Sequence, residues 1–198
     1  MKQKPPDVMV IHDGSLPALV ACLMVPDLSG VVAWVPPTGS SLRAIGADEA
    51  VQRSMASQQA ELLGFHTLMD GPHLPDLPRL GRAFEQGILL LSACGAAKAL
   101  GIRRVIWPIV AGDSVERLAE ASERASLINR LCWLGDGDEV DPPTGDAAGP
   151  GGSRGLESAR GVRLESPFVD LTPGQLRDIA DDLNAPLQAC WWAQEATA

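Results

Sequence analysis

The residues best placed to do chemistry follow the first apolar run of the chain. That run ends in His12, and the turn Asp13-Gly14-Ser15 leads into a helical stretch with Pro17 in its first turn. In parallel α/β sheets, ligands bind outside the carboxyl ends of the strands. His12 is therefore either a ligand or general base, or a polar residue tolerated at a strand exit. The turn after it is either a helix cap or a nucleotide contact, and both pairs of alternatives stay open.

The other histidines, the cysteines and the scattered acids form no local pattern of ligands or nucleophiles. His66 lies in a predicted strand and His73 in a proline-rich loop, and neither has a partner at metal-ligand spacing, so we interpret both as structural. Glu61, Asp113 and Asp170 have no spacing that brings them together as an acid set. The cysteines are far apart without CxxC or CxxH pairing, which favours buried thiols over a zinc knuckle or a disulfide framework. They are Cys22, Cys94, Cys132 and Cys190.

Apolar, β-branched runs alternate along the chain with stretches of helical period, which predicts repeated βαβ units around a parallel sheet. The predicted strands cover residues 8–12, 30–35, 65–69 and 103–110 and a short run that starts at residue 162. The predicted helices cover residues 16–24, 48–63, 82–100 and 114–131 and a short stretch after the Thr172-Pro173 cap. We therefore expect one α/β domain over residues 1–198, a doubly wound parallel sheet of about five strands.

Composition and charge restrict the partners that the chain can have. The net charge of -9 and the lack of a basic patch predict neither nucleic acid nor an anionic membrane as partner. No apolar run reaches the roughly 20 residues of a membrane-spanning helix, and the polar first residues are unlike a secretory signal, so a cytoplasmic location is expected. Residues 135–161 contain eight glycines and three prolines and little that is apolar, which predicts a disordered insertion.

The C-terminal stretch RLESPFVDLTPGQLRDIADDLNAPLQACWW resembles the same region of the 7-cyano-7-deazaguanine synthase family. The positions that match the family are Glu165, Pro167, Asp170, Leu171, Thr172, Leu183, Pro186 and Trp191. Upstream, the stretches ASQQAELLGF and ILLLSACGAAKALGIRRVIW resemble a helix and a helix–strand segment of the family in the same order. The resemblance covers nearly the whole chain apart from the insertion. It implies the HUP fold, the adenine nucleotide α-hydrolase-like fold of the PP-loop ATP pyrophosphatases.

The resemblance also implies where a nucleotide binds and which groups differ from the family. The implied nucleotide-binding positions are His12, Asp13, Gly14, Ser15, Val32, Trp34 and Asp113, and the implied cofactor is ATP with magnesium. The family PP-loop reads Ser-Gly-Gly-x-Asp-Ser, and of these residues the chain keeps only Gly14. Asp13 adds a charge that opposes a triphosphate by on the order of 1 kcal/mol, and Pro17 removes a backbone donor. No zinc is expected, because the chain has Trp191-Trp192-Ala193 where the Trp of the family is followed by its first zinc cysteine.

The departures from the PP-loop motif predict a divergent relative of the synthase that serves as a catalytically impaired nucleotide- or partner-binding subunit. Its expected ligand is a small nucleotide or deazapurine, and its expected partner is a second copy or a paralogous subunit. No catalytic residue is assigned. The alternative is an active ATP-dependent carbon–nitrogen ligase acting on a deazapurine carboxylate, as in queuosine-type biosynthesis. A third hypothesis is an oligomerisation module that uses Trp191 and Trp192. Whether the chain is an enzyme is left open.

Overall fold

Five parallel strands form one sheet at the centre of the molecule. The computed structural model describes residues 6–37, 42, 48–68, 81–134 and 161–190. The strands pair in the order β3-β2-β1-β4-β5, and every pairing is parallel. They are β1 (Val8–Ile11), β2 (Val31–Trp34), β3 (His66–Leu68), β4 (Arg104–Ile106) and β5 (Arg163–Glu165). Because parallel neighbours need a crossover, a helix stands between each strand and the next along the chain.

Helices cover both faces of this sheet. They are α1 (Leu16–Leu23), α2 (Glu49–Leu63), α3 (Arg82–Ala99), α4 (Val115–Leu134) and α5 (Pro173–Asp182). Side chains alternate along β1, so that Val8 and Val10 pack in the core beneath α1 and α5. Met9 and Ile11 pack in a second core with residues of α3 and α4. The predicted fold class is confirmed: the protein is α/β, with a doubly wound, five-stranded parallel sheet.

Local contacts define several helix ends, and the predicted Thr172 cap is confirmed. The Asp48 side chain accepts a hydrogen bond from the Ala50 N–H at 2.7 Å at the start of α2, and Gly64 ends that helix with φ of 77°. Thr172 caps α5 through a reciprocal capping box with Gln175. These contacts lie within one helical turn, so the local sequence is sufficient to specify them.

The prediction for the fourth strand is wrong at its C-terminal end. Residues 103–110 were expected to be extended throughout, but β4 ends at Ile106. Trp107 still donates its N–H to β5 at 2.8 Å. Pro108 then has no N–H to donate, and the Ile109 N–H turns back to the Trp107 carbonyl at 2.9 Å, which ends the ladder.

Some of the sequence predictions concern residues outside the described ranges. Residues 135–160 of the predicted insertion lie outside these ranges, as do His73, Trp191 and Trp192.

The fourth helix continues to Leu134 instead of ending at residue 131 as predicted. Within the described ranges, no helix is both long enough and apolar enough to cross a bilayer.

Candidate functional site

The loops after β1 and β4 emerge from the same edge of the sheet. The strand order reverses its direction between these two neighbouring strands, and doubly wound proteins bind ligands in the crevice at such a point. His12, Asp13, Gly14 and Ser15 form the first loop, which we call the β1–α1 loop. Asp113 lies exposed in the second loop. The topology thus brings the predicted loop residues to one edge, where a ligand is expected.

His12 is a core residue whose ring is fully buried. Its backbone N–H donates to the Trp34 carbonyl at 2.8 Å, and its Nδ1 accepts the Gly14 N–H at 3.1 Å. The ring lies against Phe65, with the ring centroids 5.6 Å apart. Since Nδ1 is an acceptor, the neutral ring carries its proton on Nε2, which has no hydrogen-bond partner among the described residues.

Burial also sets the protonation state of His12. Desolvation lowers the pKa of the imidazole to about 4, and the negative charge of Asp13 opposes that shift without reversing it. At neutral pH the ring is therefore uncharged, and its one basic lone pair is directed at the Gly14 N–H. A general base needs an available lone pair within reach of the substrate proton. The functional role of His12 stays a prediction.

Asp13 makes the turn that starts α1. Its Oδ1 accepts the Ser15 N–H at 3.1 Å, and the residue is only 9% exposed. Ser15 occupies the N-cap position, but its own side chain makes no capping hydrogen bond. The Asp13 carboxylate therefore supplies the hydrogen bond that caps the start of α1, in an Asx turn.

Gly14 is required at its position for two independent reasons. Its φ of +78° lies in the left-handed region, which residues with a Cβ avoid. A Cβ built on it would lie 2.6 Å from the Gln52 carbonyl oxygen and 3.0 Å from the Met55 Cβ, both in α2. The β1–α1 loop is thus packed directly on α2, and the space beside Gly14 is filled by that helix.

A buried glutamine ties this loop to the end of the described chain. The Gln59 Nε2 donates to the Gly14 carbonyl at 3.1 Å and to the Ala189 carbonyl at 2.7 Å. Its Oε1 has no hydrogen-bond partner among the described residues. Cys190 is buried next to Ala189, and burial, followed by the negative charge of Asp13, raises the pKa of its thiol to about 12.

Gln52 and Gln59 were not among the site residues predicted from the sequence. Cys190 was predicted only as a buried thiol, and it is buried. The available signal was a polar residue on an apolar helix face, because Gln52 and Gln59 each stand one turn from the buried pair Met55 and Ala56. A buried polar side chain needs partners. That rule predicts a polar contact for each glutamine, but it does not name the contact.

The β1–α1 loop has used its own donors internally. The Gly14 N–H is bonded to His12 and the Ser15 N–H to Asp13, and α1 carries Pro17 in its first turn, which has no N–H. In a phosphate-binding loop, successive N–H groups of this kind point at the anion. In this loop, the side chains of His12 and Asp13 therefore occupy two of the backbone donors.

Val32 and Trp34 lie on β2, which pairs with β1 on one edge and β3 on the other. Both side chains are buried in the core that α3 and α4 cover. The Trp34 Nε1 has no hydrogen-bond partner in the described ranges. The Trp34 carbonyl already accepts the His12 N–H. A contact of this strand with adenine stays a prediction.

No group of three or more His, Cys, Asp or Glu side chains is placed to hold a metal ion in the part of the chain that the structure describes.

The Ser114 Oγ, in the loop that also carries Asp113, accepts the Arg117 N–H at 3.3 Å and so caps the start of α4.

Comparison with known proteins yields distant likenesses among solved structures only. No protein-family model matches the chain, and no curated protein matches it. Among solved structures, it is similar to the U34-tRNA thiolase NcsA from Methanococcus maripaludis, determined with its 4Fe-4S cluster. The sequences are 11% identical, the TM-score is 0.48, and the match covers 93% of this chain and 58% of the thiolase chain. The match thus spans less than two thirds of the thiolase.

Proposed function

We propose that this chain is a divergent HUP-type domain, related to the 7-cyano-7-deazaguanine synthases, that acts as a non-catalytic binding subunit. The observation that carries the proposal is the closed β1–α1 loop, in which His12 and Asp13 accept the N–H groups of Gly14 and Ser15. A protein that activates a substrate with ATP needs those groups for the triphosphate. Here a triphosphate would have to displace the loop's own side chains.

The donor set does not fit ATP. The Asp13 carboxylate accepts the Ser15 N–H at 3.1 Å. A phosphate oxygen would have to compete for this N–H with a carboxylate that the chain itself holds beside it. The same carboxylate repels the incoming charge. The third donor expected from a helix start is missing at Pro17. No catalytic step through ATP is therefore derived.

The partner half of the proposal rests on α4, whose C-terminal part exposes large apolar side chains. Leu127, Leu131 and Leu134 are 58%, 49% and 74% exposed and recur at i, i+4 and i+7, which places them on one side of the helix. Trp133 beside them is also exposed. Exposed apolar stripes of this kind mark protein–protein contacts.

We assign this stripe to a second copy of the chain, packed with its α4 antiparallel. The N-terminal half of the same helix carries Glu116, Glu120 and Glu123 at matching spacing. If the two α4 helices packed parallel, the glutamates of one copy would face those of the other. An antiparallel crossing at Leu131 keeps the two sets of glutamates at opposite ends of the helix pair. A two-fold contact of leucines on leucines is self-complementary. A deazapurine ligand and a cytoplasmic location remain predictions.

Calorimetry with ATP and magnesium tests the non-catalytic half. We expect no binding heat from the full-length chain at about 1 mM nucleotide. The matched variant Asp13→Gly frees the Ser15 N–H and removes the charge, so it should bind inorganic pyrophosphate more tightly than the parent. Binding of ATP by the parent chain, with pyrophosphate release on addition of a carboxylate substrate, would instead establish the ATP-dependent ligase.

Sedimentation equilibrium tests the partner half. The parent chain should dimerise, and Leu131→Glu should sediment as a monomer because it buries a charge at the crossing. Glu120→Gln lies on the same side of the helix outside the apolar part and serves as the control that leaves the dimer intact. A parent chain that is monomeric at all concentrations removes the second copy as partner.

A further inference from the structure

Two of the four cysteines meet between α3 and α4. The thiols of Cys94 and Cys132 are joined by a side-chain hydrogen bond. Cys94 is 2% exposed, and Cys132 is partly buried and packs against the core that contains Cys94. Both are present as thiols in the structure. The contact joins residues far apart in sequence, so only the packing of the two helices brings the sulfur atoms together.

A second contact fixes the register of these helices. The Arg124 guanidinium donates to the Gln86 Oε1 at 2.6 Å, across a sequence separation of 38 residues. Cys94 and Cys132 have the same separation, eight residues further along each helix. A constant separation means that α3 and α4 run parallel and stay side by side. The thiol contact is therefore held by the helix pair and is not a chance meeting of two flexible side chains.

Small residues let the two helices approach closely at this point. Ala93 and Ala97 flank Cys94 on α3 and are fully buried, and Ala125 and Ile128 precede Cys132 on the buried side of α4. A disulfide requires Cα atoms about 4.4–6.8 Å apart. The buried alanines of α3 and α4 leave room for a close approach of the two helices.

The two thiols differ in access. The hydrogen bond to Cys132, followed by burial, raises the pKa of the Cys94 thiol. Cys132 is the member that reaches the surface. The remaining cysteines, Cys22 and Cys190, are fully buried, and burial raises the pKa of each thiol. An external reagent therefore meets Cys132 first, with Cys94 directly behind it.

We propose that Cys94 and Cys132 are a redox modification site, which a low-molecular-weight disulfide converts into a reversible disulfide bond between α3 and α4. Cys132 loses its proton, and its thiolate attacks the reagent. The S–S bond of the reagent breaks, and the half that leaves takes up that proton as a free thiol. Cys94 then attacks the Cys132 sulfur, the mixed disulfide breaks, and the second reagent thiol leaves with the proton of Cys94. Two electrons pass from the protein to the reagent.

The bond would join the two helices that flank β4. The chain between the two cysteines includes β4 and the loop that carries Asp113. Closing this loop restricts the unfolded chain, so the oxidised protein should be the more stable form. The inference does not depend on the proposed function, because neither thiol belongs to the β1–α1 loop and Cys132 is not one of the three leucines assigned to the dimer contact on α4.

The experiment treats the folded full-length chain with oxidised glutathione and digests it with trypsin after blocking the remaining thiols. Cys94 falls in the peptide 83–98 and Cys132 in the peptide 131–154. We expect these two peptides to be linked, with the loss of two hydrogen atoms. The oxidised protein should melt several degrees higher, and dithiothreitol should reverse both changes.

Two variants keep the inference falsifiable. Cys132→Ser should show neither the link nor the rise in melting temperature. Cys94→Ser should instead retain glutathione on Cys132, because no second thiol is present to displace it. The inference is overturned if the parent chain accumulates the glutathione adduct on Cys132 without closing the bond. It is equally overturned if the link forms only in denaturant, where any two cysteines can meet.

Discussion

The β1–α1 loop and the loop between β5 and α5 start from similar sequence signals and reach different structures. Each passes from a strand through a hydroxyl N-cap, Ser15 or Thr172, to a proline in the first helical turn. Thr172 bonds within its own helix, since its Oγ1 accepts the Gln175 N–H at 3.3 Å. Ser15 makes no such bond. The donors near it are satisfied by His12 and Asp13, and the loop is packed on α2.

Burial explains the difference between the two loops. The hydrogen bond between Thr172 and Gln175 is exposed, so this cap competes only with water and is specified by the local sequence. The β1–α1 loop lies under α2, where every buried N–H and carbonyl needs a partner within the protein. Its geometry is therefore set by residues distant in sequence, such as Gln52 and Gln59.

The largest expected effect comes from a Cβ at the buried loop. Gly14→Ala should destabilise the protein by about 4 kcal/mol, because the left-handed backbone and the contact with the Gln52 carbonyl both penalise it. Gly174→Ala in the first turn of α5 is the matched control, since its Cβ would meet nothing closer than the Thr172 Oγ1 at 3.9 Å. Urea denaturation of both variants measures the contrast, and equal free energies of unfolding would remove the claim that α2 closes the loop.

The second effect is a pH dependence that belongs to His12. The folded-state pKa of His12 is about 4, against an ordinary histidine pKa of 6.5, so the unfolded chain binds the proton more tightly. The stabilising contribution is complete above pH 6.5 and is lost as the pH falls to 4, by about 3 kcal/mol. His12→Asn keeps an acceptor for the Gly14 N–H without the titration. Denaturation from pH 7 to 4 should show the parent losing more stability than this variant, and parallel curves would contradict a neutral, buried imidazole.

The third effect concerns the tie between the loop and Ala189. Gln59→Leu leaves the carbonyls of Gly14 and Ala189 without their donor and should cost about 2 kcal/mol. Gln58→Leu, at the exposed neighbouring position, should change stability by less than about 0.5 kcal/mol. Thermal denaturation separates the two variants. Indifference to the loss of Gln59 would mean that the loop holds its shape without α2.

The smallest effect compares the two N-caps directly. Thr172→Ala should cost about 1 kcal/mol, because it removes the capping box of α5. Ser15→Ala should cost less than about 0.5 kcal/mol, since its hydroxyl caps nothing. The measurement is again the free energy of unfolding. A larger loss at Ser15 than at Thr172 would reverse the comparison between the two loops.

The sequence is a good guide wherever a contact is local or periodic. Alternating apolar runs predicted the five parallel strands, and Gly64 and Thr172 predicted a helix end and a helix start. Sequence reasoning also singled out Asp13 and Gly14. It could not show that α2 would cover them, because the contact between Gln59 and Gly14 joins residues 45 positions apart. The end of β4 was missed because Pro108 was included in an apolar run without weighing its missing donor.

The central claim is that the N–H groups of Gly14 and Ser15 already have acceptors within the protein. Amide resonances of a 15N-labelled chain report on those two groups directly during a titration with magnesium pyrophosphate. We expect both resonances to stay in place up to about 1 mM ligand, since both N–H groups already donate to acceptors within the protein. A saturable shift of the Gly14 and Ser15 amides would contradict the account and restore the loop as a phosphate site.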